Sequence, residues 1–188
     1  DSELRHLAAV EQFANQALRR PLLDSEKAEL RKLYATLRGA EVPHEHSIAS
    51  LVARILVSPG FLYRLETGNG DVQSLAGGEV KYRKLNNHEL ATRLSYFLTS
   101  APPDSDLRQV ADQGQLTEAS SLRQQTHRLL RGPSTRNMAT EFGCQWLHIY
   151  DFAAHDEKSE QAFPTFNALR GAMYEESIRF WQDLLQNN

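Results

Sequence analysis

The stretch from Leu85 to Leu107, LNNHELATRLSYFLTSAPPDSDL, constrains the fold more than any other, because it spells out a capped amphipathic helix, a double-proline stop and a helix restart. Asn86 is placed to cap the helix. Glu89, three residues on, can return a hydrogen bond to the cap's own amide. Leu90, Ala91, Leu94, Phe97 and Leu98 recur at helical spacing and form the expected buried face. Pro102-Pro103 ends the helix, since proline disfavours helical geometry in the residue before it. Asp104 or Ser105 then caps the next one.

Apolar residues recur at helical spacing almost everywhere else, so the chain is expected to be all-α, with about eight helices in two packed helical units. Residues 1–66 form the first unit. Its first helix runs from about Ser2 to Arg19 with Leu4, Leu7, Phe13, Ala14, Ala17 and Leu18 inward, and Pro21 ends it. Asp24 or Ser25 caps a second helix carrying Leu30, Leu33, Tyr34 and Leu37, with Gly39 at its C-terminal cap. The third places Ile48, Leu51, Val52, Ile55 and Leu56 on one stripe before Ser58-Pro59-Gly60 breaks it. Residues 67–83, punctuated by Gly68, Gly70, Gly77 and Gly78, read as a linker or surface loop. Only EVKYRKL alternates there, so at most one short β-strand or hairpin is expected.

Residues 84–188 form the second unit, expected to pack on the first. After the Leu85–Leu107 stretch, Gly114 ends a short helix. Thr117 opens another with Leu122, Leu129 and Leu130 inward, and Gly132-Pro133 closes it. Ser134 caps a helix lined by Met138, Phe142, Trp146 and Ile149. The last helix begins near Pro164 with the stripe Phe166, Leu169, Met173, Phe180 and Leu184 inward. It reaches the terminus without a capping glycine, and the chain is expected to continue beyond Asn188 in its parent.

Composition narrows the partners. A chain of 188 residues with 40% hydrophobic content can bury roughly 70% of its unfolded surface, enough for a real core. The net charge of -3, from 21 Lys+Arg against 24 Asp+Glu, is spread along the chain and leaves no basic footprint for nucleic acid. No apolar run approaches the roughly 20 residues of a membrane span. The single Cys144 has no intrachain disulfide partner, and no Cys-rich metal knuckle can form.

Five segments carry a resemblance: FANQALRRPLLDSEKAELRKLY, LVARILVSPGFLYRLE, LNNHELATRLSYFLTSAPPDSDL, FGCQWL and FPTFNALRGAMYEESIRFWQDLL. In this order they resemble helical modules of unknown function from planctomycete-type secreted multidomain proteins, modules associated with a cytochrome c-like segment. Leu4 to Glu66 resembles one module and Lys84 to Leu185 a second. The resemblance implies an extracytoplasmic (periplasmic or secreted) bacterial protein, linked to redox chemistry or polymer breakdown, and supplies no catalytic residue. Covalent c-type haem needs Cys-x-x-Cys-His, and one cysteine excludes it from these residues. No cofactor is therefore expected in this chain, and haem is expected only in a neighbouring domain of the parent, which would be the partner.

Candidate chemistry is sparse. Cys144 and His148 stand at i and i+4, and on one helix they would share a face and offer two metal ligands. A third would have to come from Asp151, His155 or Asp156, so the favoured expectation is no metal, with a buried thiol and a boundary histidine. His44 and His46 flank Glu45 at a helix start and read as solvated turn residues, while His6 and His127 have no evident companion. Glu176 falls on the expected inward stripe of the last helix, where a carboxylate needs a partner. Arg93 holds the equivalent position in its own helix, with Glu89 one turn earlier. A clamp of Glu89, Arg93 and Glu176 is expected, ahead of acid/base work by Glu176.

Most aromatics follow helical spacing and read as core. Tyr174 and Trp181 fall off the main stripe and are expected to meet a neighbouring domain, with carbohydrate unsupported. There is no Gly-x-Ser-x-Gly, no phosphate-binding glycine loop and no His-Glu-x-x-His. The expected function is a noncatalytic scaffold or interaction module of a larger secreted protein. The alternative is an enzyme or redox component whose cleft lies between the helical units, lined by Glu176, Arg93 and residues 150–163.

Overall fold

A computed structural model describes residues 2–74, 81–152, 154, 158–159 and 161–187, with backbone alone at 69–74 and 81. The chain divides into two units, Asp1–Glu89 and Leu90–Asn188. Among the described residues there are α-helices, one π-helical turn and one two-stranded hairpin, so the fold is all-α. No helix among them is long and apolar enough to cross a membrane.

In the first unit, α1 (Ser2–Ala17), α2 (Asp24–Gly39) and α3 (His44–Leu56) enclose Val10, Ala14, Leu22, Leu30, Tyr34, Leu51 and Ile55. Leu4, expected inward, lies in the first turn of α1 and is exposed, while Val10 and Ala14 supply its buried contacts. The start of α2 also differs from expectation. Neither Asp24 nor Ser25 caps it; Leu23 holds the cap position, and Glu26 Oε2 accepts the Leu23 amide at 2.8 Å. The same carboxylate takes both Arg20 guanidinium nitrogens, at 2.7 and 2.8 Å, and Arg20 first of all lowers its pKa.

Two residues after α1 ends at Ala17, Arg19 takes a φ of 60° that reverses the chain. The residue is 8% exposed and meets no carboxylate among the described residues; instead its side chain donates to the carbonyls of Gly60 (2.6 Å), Tyr63 (3.1 Å) and Phe61 (3.4 Å). These carbonyls lie at the end of the single-turn α4 (Pro59–Leu62), where helical partners run out. A buried charge is thus solvated by aligned carbonyl dipoles, and α4 is fastened to the end of α1.

Where a linker was expected, β1 (Asn69–Ser74) pairs antiparallel with β2 (Lys81–Lys84), Asn69 opposite Lys84 and Ser74 opposite Lys81. Gly68 precedes it at φ 70°, and a Cβ there would stand 2.6 Å from Arg83 Cβ. Only glycine fits that approach.

α5 (Asn87–Thr99) opens with the expected reciprocal cap: the Glu89 amide donates to Asn86 Oδ1 and the Asn86 amide to Glu89 Oε2, each at 2.9 Å. Phe97, however, is exposed, because Ala91, Ser95 and Leu98 carry the buried line at i, i+4 and i+7. Ser95 is satisfied by the Ala101 carbonyl at 2.9 Å, so the chain after α5 folds back over this polar position. α6 (Ser105–Asp112) and α7 (Ala119–Arg131) complete a core of Ala91, Leu98, Leu107, Ala111, Leu116 and Leu129. Asp104 caps α6 through the Leu107 amide at 2.9 Å and is gripped by Arg128 at 2.8 Å through both oxygens. Arg128 is the main reason its carboxyl titrates below the usual range.

The remaining elements are α8 (Thr135–Met138), the π-helical turn Ala139–Gly143, α9 (Cys144–Trp146) and α10 (Phe166–Asn187). Their core is small: Ala139, Cys144 and Ile178, flanked by Ile149, Tyr174, Trp181 and Leu185.

Candidate functional site

α10 is apolar on two sides, and the packed side is not the expected one. At about 100° per residue, Tyr174, Ile178, Trp181 and Leu185 form one line, and this line is packed. Leu169, Met173, Phe180 and Leu184, expected inward, are exposed on the other. The π-helical turn decides the choice. It brings Gly143 under the Trp181 indole, so close that a Cβ on Gly143 would lie 2.5 Å from Trp181 Cδ1. Glycine is the residue type that lets the ring lie on the backbone there.

The indole is the hub of an aromatic cluster. Phe142 meets Trp146 at 5.3 Å and Trp181 at 5.6 Å between centroids, with interplanar angles of 74° and 89°. Trp146 and Trp181 stand 5.4 Å apart, tilted by 38°, and Phe180 meets Trp181 edge-on at 6.4 Å and 75°. Edge-to-face geometry matches positive ring edges to negative faces. Trp181 is half-buried, but Trp146 and Phe180 are each 64% exposed and Phe142 46%. Trp181 Nε1 is buried without a hydrogen-bond partner among the described residues. Met173 and Leu184 are exposed on the same side of α10 as Phe180 and add apolar area to that of the rings.

Polar groups behind this surface hold it in place. Arg136 of α8 makes a two-pronged contact with Glu175 of α10 at 2.6 and 2.9 Å, and Arg179 adds a bond at 3.0 Å. Those bonds, Arg136 first, hold the Glu175 carboxyl at about 2. Beneath, Cys144 Sγ donates to Tyr174 Oη at 3.4 Å. That bond, and then burial, push the Tyr174 phenol up to about 12, so it stays neutral at physiological pH. Cys144 is fully buried, a small core residue rather than an accessible nucleophile.

Glu176 lies nearly opposite Ile178 on α10; it is exposed and makes no hydrogen bond or ion pair among the described residues. It therefore does not face the core, and the expected burial of its carboxylate does not occur. Glu89 uses one oxygen on the amides of Thr67 (2.7 Å) and Gly68 (3.0 Å) and the other on Asn86. Burial works against its ionisation, but these amides together lower its pKa. Its oxygens are occupied by a cap and a turn. Arg93 is exposed on α5. Cys144 and His148 do not share a helical face, since α9 stops at Trp146 and His148 takes a left-handed φ of 54°. Asp151 is exposed, and His155 and Asp156 lie outside the described residues. Among the described residues no group of three or more His, Cys, Asp or Glu could hold a metal.

The first unit contains a polar constellation that spacing did not announce. His6 Nδ1 and His44 Nε2 are 2.7 Å apart, and the Tyr34 hydroxyl is 2.7 Å from His44 Nδ1. Glu3 stands 3.8 Å from His44 and 3.3 Å from Arg38. His6 thus has a companion and His44 is not a solvated turn residue. The two histidines are 38 positions apart, a separation that leaves no local sequence signal for the contact.

Residues 7–66 match the family model described as PSD5: Protein of unknown function (DUF1595), and residues 85–188 match PSD4: Protein of unknown function (DUF1592). No curated protein and no solved structure matches the chain. The FGCQWL segment of the aromatic cluster and all of α10 fall within the second match. That match spans more than half of the chain, which belongs to the DUF1592 family of proteins of unknown function.

Proposed function

We propose that the chain is a noncatalytic interaction module of a larger secreted protein, docking a neighbouring protein domain through the aromatic cluster and outer face of α10. The observation that carries this reading is the exposure of Trp146 and Phe180, 64% each, around a half-buried Trp181. Large contiguous apolar patches on soluble proteins mark interaction sites, and tryptophan is among the residues enriched at the centres of such interfaces.

The shape favours protein over carbohydrate. A glycan-stacking surface needs rings presented flat, whereas Phe142 stands at 74° to Trp146 and 89° to Trp181. Leu169, Met173, Phe180 and Leu184 instead follow i, i+4, i+11 and i+15, a ridge suited to the groove of another helix. The cytochrome c-like identity of the neighbour, its haem and the extracytoplasmic setting rest on the resemblance alone. The test uses Trp146 as the probe in a Trp181→Phe background. Acrylamide quenching is measured in the 188-residue chain and in the full gene product. Docking protects Trp146 in the full product; equal quenching in both overturns the reading.

A further inference from the structure

The first unit contains a cavity of about 500 Å³, and it lies within the residues matched by the DUF1595 model. This volume is in the range of pockets that take small organic ligands, about 300–1,000 Å³. Its walls are aliphatic: Leu22, Leu30, Leu33 and Ile55 line it, with Leu65 at the mouth, and no aromatic ring is among its lining residues. Aliphatic walls without a flat ring suit a flexible alkyl chain better than a planar ligand.

Four charged residues border the cavity, and they are not equivalent. Arg20 and Glu26 neutralise each other through two short bonds. Arg54 and Glu29 make no hydrogen bond or ion pair among the described residues. Arg54 lies in the last turn of α3 and offers a planar fork of donors that matches a carboxylate. Glu29 lies on α2, and both Glu29 and Arg54 are exposed at the rim. The position of Ser58 strengthens the polar side: its hydroxyl is spent on the Ile55 carbonyl at 2.6 Å, so Arg54 is left as the free donor near that end.

We propose that this cavity binds an aliphatic acyl chain, with its carboxylate head held by Arg54. Burial of each methylene in such a pocket contributes favourably to binding, and Arg54 selects the head group. A carboxylate head is carried by a free fatty acid or by an N-acyl amino acid, whose carboxylate lies one residue beyond the amide, and the ligands in the test separate these sources.

Binding is measured by titration calorimetry on the full chain, below micelle-forming concentrations, with decanoate, decanamide, decylamine and N-decanoyl-glycine. Decanoate is expected to bind more tightly than decanamide and decylamine. Arg54→Met is expected to lower decanoate affinity about tenfold, the low end for a charge-assisted bond, while decanamide affinity is unchanged. Leu65→Trp, at an exposed position on the mouth, is expected to abolish binding of all four without loss of helical circular dichroism. N-decanoyl-glycine binding as tightly as decanoate assigns the site to N-acyl amino acids, and markedly weaker binding assigns it to free acids. Preference for decylamine would make Glu29 the head-group partner and overturn the proposal. So would absence of binding by all four, or decanoate binding insensitive to Arg54→Met.

Discussion

Replacing Gly143 by alanine tests how the aromatic cluster is built. Gly143 has helical backbone angles, φ -64° and ψ -43°, so alanine fits the backbone and should by itself stabilise by about 1 kcal/mol. Against this, the new Cβ would stand 2.5 Å from Trp181 Cδ1 and 2.8 Å from both Cγ and Nε1. Carbon contacts settle at about 3.5–4.0 Å, so the indole must withdraw by roughly 1 Å. It is hemmed in by Phe142 and Trp146, and overpacking of this kind costs about 1–3 kcal/mol. The steric cost therefore wins, and the net loss should reach up to about 2 kcal/mol, or roughly 8–16 °C in Tm for a unit of this size. Urea unfolding followed by tryptophan emission reads the stability, and near-ultraviolet circular dichroism reads the ring geometry. Both tryptophans of the chain belong to the cluster, so neither signal is diluted. In a Trp181→Ala background the sign should reverse, leaving only the gain in helix propensity. If Gly143→Ala stabilises the unmodified protein by about 1 kcal/mol and leaves the near-ultraviolet spectrum unchanged, the indole does not lie on Gly143 and the reasoning fails.

Arg19→Ala should cost about 2–3 kcal/mol by removing the donors to three terminal carbonyls, and Arg19→Gly about 1 kcal/mol less because glycine relieves the φ of 60°. Chemical denaturation followed by far-ultraviolet circular dichroism checks this; equal losses for the two variants would remove the strain argument. Glu175 has a folded-state pKa of about 2, lowered from 4.5, so its contribution is complete above pH 4.5 and disappears as the pH falls toward 2. Glu175→Gln should accordingly flatten the acid dependence of tryptophan-detected unfolding over that interval, and an unchanged acid limb would count against the Arg136–Glu175 contact. His44→Phe should cost about 1–2 kcal/mol, since the buried Tyr34 hydroxyl loses its partner. His6→Ala, at the exposed end of the same chain of bonds, should change thermal stability by less than about 0.5 kcal/mol.

The elements were legible where their signals were local. Asn86 and Glu89 exchange the two hydrogen bonds that their spacing announced, and Asp104 caps α6 after the double proline. The start of α2 was less legible, because Asp24 and Ser25 offered two good caps while the structure uses the Glu26 carboxylate on the Leu23 amide. EVKYRKL showed one strand; its partner at Asn69–Ser74 has no alternation and was visible only through pairing. The candidate site was less legible still. Tyr174 and Trp181 were read as surface contacts and Phe180 as core, and the structure reverses both. FGCQWL stood out as a motif, but its meaning needed α10: Gly143 makes room for an indole 38 residues away.

Sequence alone determined the all-α class, the helix starts and stops around Asn86 and Pro102-Pro103, and the lack of a second cysteine for covalent haem attachment. These follow from composition or from interactions among residues no more than about four apart, which the chain carries wherever it goes. Tertiary structure decided which apolar side of α10 turns inward, that Glu176 faces out, and that His6 reaches His44. A helix with apolar residues on two sides has no local preference between them. The π-helical turn below Trp181 supplies a surface for only one side, and Phe180 and its neighbours are left exposed.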